Sequence, residues 1–550
     1  MPILDEAAAW ISSLGPGDIP ARVESKVRHQ VLNMLAAALA GVGTGAGRRL
    51  AGGLPASGGN AWSLPHGRTY SLEEAITLGS ALTMTLDYDD YLVFGHTGHS
   101  AVIASLVLGD REDMRLSEAL PAVVAANEIA GRLGAATLLG PRNGQMWSYI
   151  HLAGGAAAAA RVLGLDEKAT CHALALALYQ PTLPLYAGFM GGESKVLTAS
   201  GPTLLGVQAA LMAQAGLEGN PGILEGESGF LDELSFAPAP FFLQGWGRSW
   251  VSDTLAFKPY PGCAYLDTAL DAWEEVRREL QAPGGEPLDP GDIESLRVEA
   301  SLLTMGMDQL ARTFRGSIPL APVNVNFSLA NSLALAVLNG RLTPSCLEPS
   351  YLEANGERVL QVASRIKLTH DWGATYELLE AMDRALGLAA VFRNFSRAQL
   401  SELRRGLRDS PTRAALGWRD LKGALSSLPP LFKRALLRAP LHVLPGSPRR
   451  SRPPGFDFGG IDLEGLRLPF PARLTLRLRD GRECSARCSI PRGAPGGPTY
   501  LEEVALKWRR EAAPLLGEEG AGDVARLVLE EDPPLRELLD IIAPLPGGRG

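Results

Sequence analysis

Apolar residues recur every three to four positions over most of the first half of the chain. In 22–41, Val23, Val27, Val31, Leu32 and Leu35 fall on one helical face, and Gly41 ends the pattern. In 71–85, Ser71 stands where a helix cap belongs, with Glu73 and Glu74 in the first turn. The stretches 116–139, 154–163, 168–178 and 203–215 continue the series. Many of their faces are Ala and Gly, as in G-G-A-A-A-A-A-R from 154, which lets helices approach closely. The pattern predicts an all-α domain of tightly packed helices over 1–256.

The periodicity changes near Phe257. Residues 258–267 (K-P-Y-P-G-C-A-Y-L-D) form a Pro/Gly-punctuated loop, followed by a helix to about 280 and a linker at 282–291. Residues 293–300 and 359–369 then alternate with period two, as strands do, around an apolar helical stretch at 325–337. Residues 473–490 alternate about Asp480-Gly481, a hairpin signal. Residues 501–542 are helical again, broken at 517–522 and at Pro533-Pro534.

The expected fold is mainly α: a large helical domain (1–256, with 500–550 returning to it) and a smaller α+β domain (257–373 and 461–499). Between them, 374–460 begins as helix and turns rich in Arg and Leu. Its basic cluster is Lys433, Arg434, Arg438, Arg449, Arg450 and Arg452. It reads as a solvated insertion or flexible loop, with phosphate or nucleic-acid contact as the alternative.

Composition narrows the class. At 550 residues the chain exceeds one hydrophobic core, and 46% hydrophobic with 20% charged residues fits a folded protein. A net charge of −8 argues against nucleic acid as the main partner. No uninterrupted apolar run reaches the roughly 18 residues of a membrane span. The start M-P-I-L-D-E lacks a signal-like pattern, and the five scattered cysteines do not form a disulfide framework. A cytoplasmic protein without a membrane partner is expected.

The densest chemistry lies in 86–105, where Asp87, Asp89, Asp90, His96 and His99 fall within thirteen residues between two apolar stretches. Charged groups so placed tend to sit at the end of a buried helix, facing a cavity.

The order of several stretches resembles the MmgE/PrpD family. They are L-D-Y-D-D at 86–90, N-E-I-A-G-R-L at 127–133, G-G-A-A-A-A-A-R-V-L-G-L at 154–165 and L-E-G-E-S-G-F at 224–230. Beyond these come F-K-P-Y-P-G-C at 257–263, V-L-N-G at 337–340 and K-L-T-H-D at 367–371. The likeness runs over roughly 21–371 and more weakly over 468–542. It implies a helical domain built from N- and C-terminal segments with a smaller α+β lid. It also implies a site between the two, a homodimer, and metal-free, cofactor-free acid–base chemistry on a small carboxylic acid.

The resemblance also implies roles. Lys195 and Lys258 match the family's two active-site lysines, suited to substrate carboxylates and to developing enediolate charge. Asp87 matches the first acid of the D-x-D-D motif, as a base or as a group orienting a lysine. Asp90 reads as structural, and Asp89 is expected to face away from the side Asp87 occupies. The family's histidine after the acids falls at His99, or at His96 with one inserted residue, and either imidazole suits proton transfer. Four positions depart from the pattern, and these are expected to contact substrate. Tyr91 replaces a threonine, Gln145 a histidine (with His151 six residues on as a possible substitute), Asp267 a histidine and Asn331 a tyrosine.

Three readings follow. One is a lyase, dehydratase or decarboxylase, with an isomerase as its nearest variant. The second is a family member that kept the scaffold and lost catalysis. The third, a metal-dependent hydrolase on Asp87, His96 and His99, is disfavoured because H-x-x-H on a glycine loop is not the helical pair that chelates zinc.

Overall fold

The computed structural model describes residues 2–138, 147–280, 289–316, 318–388, 391, 394–409 and 456–542. Gln145, most of the 282–291 linker and the whole basic cluster from Lys433 to Arg452 lie outside the described residues.

Two large hydrophobic cores organise the chain. The first gathers the N-terminal helices, whose buried faces follow the predicted spacing: Val23, Val27, Val31 and Leu35 lie inside the helix Ala21–Val42. Small residues set the distances between helices. A Cβ on Gly155 would meet the Thr203 carbonyl at 2.4 Å, so the helices Ile150–Val162 and Leu197–Gln214 approach as only glycine permits.

The C-terminal helices Glu502–Leu529 and Leu535–Ile542 return to this core with Val504, Trp508, Val524, Leu538 and Leu539. The first lies along Ala21–Val42, and Arg28 donates to the carbonyls of Val528 at 3.0 Å and Glu531 at 2.8 Å. The helical break appears at Gly517, whose φ of 75° interrupts Glu502–Leu529, while Gly522 stays helical.

The second core forms around a four-stranded sheet in the order Ile366–His370, Ile293–Ala300, Ala472–Leu478, Glu483–Cys488. The first pair is parallel and the other two are antiparallel. Leu296, Val298, Leu474 and Leu476 face inward, and the helix Asp267–Leu280 packs across the last two strands with Trp273 and Val276 buried.

The strand expected at 359–369 is shorter. Residues 359–363 end the helix Pro349–Ala363, and only Ile366–His370 pairs in the sheet. Leu352, Gly356, Val359 and Ala363 recur at helical spacing, and that longer period outweighs the local alternation.

Two further expectations change. The described ends of 374–460 are not simply solvated, because Leu386, Val391, Phe395 and Phe458 belong to the first core. One helical stretch, Glu193–Gln214, is long and apolar enough to cross a membrane, and most of its apolar window is buried inside the fold.

Trp508 is fully buried, and its indole N–H donates to the Ala521 carbonyl at 2.7 Å across the Gly517 kink. Trp508→Ala is expected to cost about 3–5 kcal/mol, measured as a fall in the midpoint of chemical denaturation.

Candidate active site

The apolar helix Leu72–Met84 delivers the chain into the interior, between the two cores. It cannot simply continue, because Asp87 adopts a left-handed φ of 50°, a conformation Asp tolerates better than most residues. Three residues on, Asp90–Tyr91 pairs antiparallel with Ala256–Phe257, which brings Lys258 alongside the acids. The two segments are stitched together by backbone bonds. Lys258 N–H donates to the Asp89 carbonyl and Gly262 N–H to the Asp87 carbonyl, each at 3.2 Å.

Asp89 was expected to face away from Asp87, but residues two apart in extended backbone share a side, and both carboxylates point into one cluster. Lys258 Nζ joins them, donating to the Asp87 carbonyl at 2.9 Å and to Asp89 Oδ1 at 2.6 Å. Asp87 gives one carboxylate oxygen to Lys195 and the other to Asn326 Nδ2 at 2.9 Å. Lys195 Nζ lies 4.3 Å from the ring centre of Phe327 and 4.9 Å from that of Phe189, an aromatic clamp on a desolvated cation.

The second oxygen of Asp89 serves both histidines. His96 Nδ1 stands 2.7 Å from Asp89 Oδ2 and 3.1 Å from the Asp90 carbonyl, so this nitrogen faces only acceptors and carries the proton. His99 is held between Asp89 Oδ2 at 3.1 Å and the Thr83 hydroxyl at 2.8 Å. The choice left open between them resolves into a division: His99 is fully buried, whereas the His96 side chain is 31% exposed. His151 packs edge-on to His99 with ring centres 5.7 Å apart and bonds Ser100 Oγ at 3.0 Å.

Opposing forces set the charges. Burial pushes the Asp89 carboxyl up, but Lys258, His96 and His99 outweigh it and hold it well below the usual aspartate value. Asp87 is likewise raised by burial and brought below its usual value by Lys195 and Lys258. Burial pulls Lys195 below its usual value against Asp87, while in Lys258 the two carboxylates overcome burial and raise it. Burial, with His99 and His96 beside it, drives His151 far below the ordinary imidazole value, so it is a neutral ring.

A second polar layer supports the loop. Asp90 accepts from Gln30 Nε2 at 2.9 Å, Gln30 pairs with Asn127, and Asn127 accepts from the Thr97 hydroxyl at 2.6 Å. This fits the structural role read for Asp90. A Cβ on Gly98 would stand 1.9 Å from Asp90 Oδ1, so glycine is needed there. Glu128, from the same stretch as Asn127, accepts the Val251 and Ser252 amides at 3.1 and 2.9 Å and steadies the approach to Lys258.

The remaining candidates scatter. Tyr91 lies 6.2 Å ring to ring from His96, its hydroxyl buried with no hydrogen-bond partner. Asp267 begins the helix Asp267–Leu280 with one buried oxygen unpartnered, and burial followed by the Asp271 charge raises it well above the usual aspartate value. Neither bonds to the Asp87–Asp89 cluster. Asn331 is committed elsewhere: its amide donates to the Arg315 carbonyl at 2.9 Å. The asparagine of that segment that reaches the site is Asn326. A second residue missed in the sequence is Lys507, whose Nζ donates to the Tyr88 carbonyl and, at 2.8 Å, to Asn33 Oδ1. Among the described residues no group of three His, Cys, Asp or Glu side chains is arranged to hold a metal ion.

Residues 5–241 match the MmgE/PrpD N-terminal domain. The chain is similar to cis-aconitate decarboxylase from Homo sapiens, 30% identical over 137 residues. That match covers 24% of this chain and 28% of the human protein's length.

Because Asp87 and Asp89 ionise below the usual value of 3.8, the stability they contribute is in force above it and is lost as pH falls below it. Asp89→Asn is expected to lower stability at neutral pH by about 3–5 kcal/mol, since it leaves Lys258 buried and unpaired. The variant is also expected to show a flatter loss of thermal stability than wild type from roughly pH 4 downward. Calorimetric unfolding across that range measures both effects.

Proposed function

We propose, on the match of residues 5–241 to the MmgE/PrpD N-terminal domain, that the chain is a member of that family and a lyase acting on a small di- or tricarboxylic acid by acid–base chemistry. The observation that carries the reading is the shared carboxylate of Asp89, which holds Lys258 through one oxygen and two imidazoles through the other. Cations for an anionic substrate and proton-transfer groups thus stand within one small volume.

In this reading, substrate carboxylates bind toward Lys195 and Lys258, approaching from the side of His96, the most exposed side chain of the cluster. His96, the exposed imidazole, takes the proton alpha to a carboxylate. Asp89 keeps its ring in one tautomer and steadies the imidazolium, while the lysines steady the enediolate. The new electron pair then forms a carbon–carbon double bond as hydroxide leaves from the neighbouring carbon and departs as water with the proton that His96 took up. In the decarboxylating version the carbon–carboxylate bond breaks, carbon dioxide departs, and the imidazolium protonates the carbanion. An isomerase is the nearest alternative, because the same imidazole, returning its proton to the opposite face of that carbon once the enediolate has turned, needs no leaving group.

Two further expectations go with the proposal. Leu197, Leu205 and Met212 on the helix Leu197–Gln214, with Leu183, Leu185 and Tyr179 ahead of it, are exposed, and this apolar stripe supports a homodimer. All five cysteines are free thiols, in keeping with a cytoplasmic setting.

Citrate, methylcitrate, aconitate and amino or imino dicarboxylates, each followed by NMR in deuterated water, test the reaction. Loss of water or carbon dioxide from any of them supports a lyase. Deuterium uptake without either supports the isomerase, and no exchange with any acid rejects both for that panel. On an accepted substrate, Lys195→Met and Lys258→Met are expected to reduce kcat/KM by about 100- to 1,000-fold. Light scattering is expected to give twice the chain mass of 58.4 kDa, and Leu205→Glu with Met212→Glu is expected to halve it.

A further inference from the structure

The chain carries eight lysines against 44 arginines, so lysine is the exceptional cation here. Three of the eight, Lys195, Lys258 and Lys507, are buried and meet around the turn 87–89. Lysine offers what arginine does not: a compact head that fits a tight polar corner and sheds its proton when desolvated.

Lys507 comes from the C-terminal helix Glu502–Leu529, more than 400 residues along the chain from the turn. Its ammonium lies 3.7 Å over the Tyr88 ring and donates to the Tyr88 carbonyl and to Asn33 Oδ1. One helical turn on, Arg510 donates to the Tyr88 hydroxyl. Tyr88 is therefore gripped at its carbonyl, its ring and its hydroxyl. It is the residue between Asp87, which reaches Lys195, and Asp89, which reaches Lys258 and the histidines.

We propose that Lys507 is a positioning residue of the site: by holding the Tyr88 carbonyl it fixes the left-handed turn that sends Asp87 to Lys195 and Asp89 to Lys258. Its role in ligand binding rests on the carboxylate-site reading above; its hold on the turn does not. The groups around Lys507 leave it without a carboxylate of its own. Its direct acceptors are neutral, and Asp89, Asp267 and Glu511 act on it only from a distance, against Lys258 and Arg510. Burial accordingly pushes it down to about 7.

A double-mutant cycle of Lys507→Met with Asp89→Asn, read by thermal unfolding, tests the hold on the turn. Non-additive shifts are expected, with the double variant little worse than Asp89→Asn alone, because the two residues act through one turn. Between about pH 7 and the ordinary lysine value of 10.5 the folded chain gives up a proton that the unfolded chain retains. Wild type should therefore gain stability relative to Lys507→Met as pH rises across that window. Additive shifts with a pH-independent gap would mean that Lys507 only fills space, and would overturn the proposal. If Lys507→Met does not fold, Asn33→Leu, which removes the other acceptor, takes its place in the cycle.

Titration calorimetry with succinate separates this proposal from the functional reading. A loss of at least tenfold in affinity is expected in Lys507→Met. Equal affinity for wild type and variant overturns the proposal and leaves the carboxylate site standing. No binding of succinate or of the other acids by wild type, with the cycle still non-additive, rejects the carboxylate reading and supports the hold on the turn.

Discussion

The pairing of Asp89 with Lys258 governs the middle of this molecule. Each side chain is nearly inaccessible to water, and each would be costly to bury alone. Together they remain charged only because the remaining capacity of each is filled, Asp89 by His96 and His99 and Lys258 by the Asp87 carbonyl. Removing any one of these partners leaves a buried charge uncompensated. The pair therefore sets the register of three segments at once: the turn after Leu72–Met84, the loop of the histidines, and the chain leaving the first core at Phe257.

That register is reinforced from the side of the second core. Tyr260, two residues past Lys258, gives its hydroxyl to Asp271 at 2.9 Å and Glu274 at 3.0 Å, and the guanidinium groups of Arg341 and Arg492 lie over its ring. Arg341 reaches on to Glu503, at the start of the C-terminal helix. The seam between the cores is thus tied by ion pairs as well as by apolar contact. Charged networks suit a seam, since they fix direction where apolar surfaces alone would slide.

The long-period features were legible in the sequence, and the features made by distant contacts were not. Helical faces such as Val23, Val27 and Val31 follow from spacing alone, as does the hairpin about Asp480-Gly481. Lys195, Lys258 and Asp87 were picked out because a charged residue stands in an otherwise apolar or rigid stretch and matches a family pattern. The expectation that Asp89 faces away from Asp87 fails on the simplest local ground, since residues two apart in an extended segment share a side. Asn326 was passed over for Asn331, since both are amides in one apolar stretch and only the tertiary fold shows which carbonyl or carboxylate each meets. The strand expected at 359–369 shortens to Ile366–His370 because 359–363 also continue the helical spacing of Leu352 and Gly356. Lys507 left a trace, the scarcity of lysine, but a residue count does not reveal its partners.

The balance of charge constrains what the cluster can accept. Lys195 and Lys258 are not free cations awaiting an anion, since Asp87 and Asp89 already neutralise them. A carboxylate entering from solvent adds negative charge to a balanced, desolvated group, and such an excess is strongly unfavourable at low dielectric. Under the proposed reading, the compensating positive charge arises in the reaction itself, when the part-exposed imidazole of His96 takes the substrate's proton and becomes a cation beside Asp89. Asp267 sharpens the point: burial keeps it a neutral acid, so it adds no further negative charge to a cluster with no cation to spare. An ionised aspartate at that position would repel the same substrate that the two lysines are placed to hold.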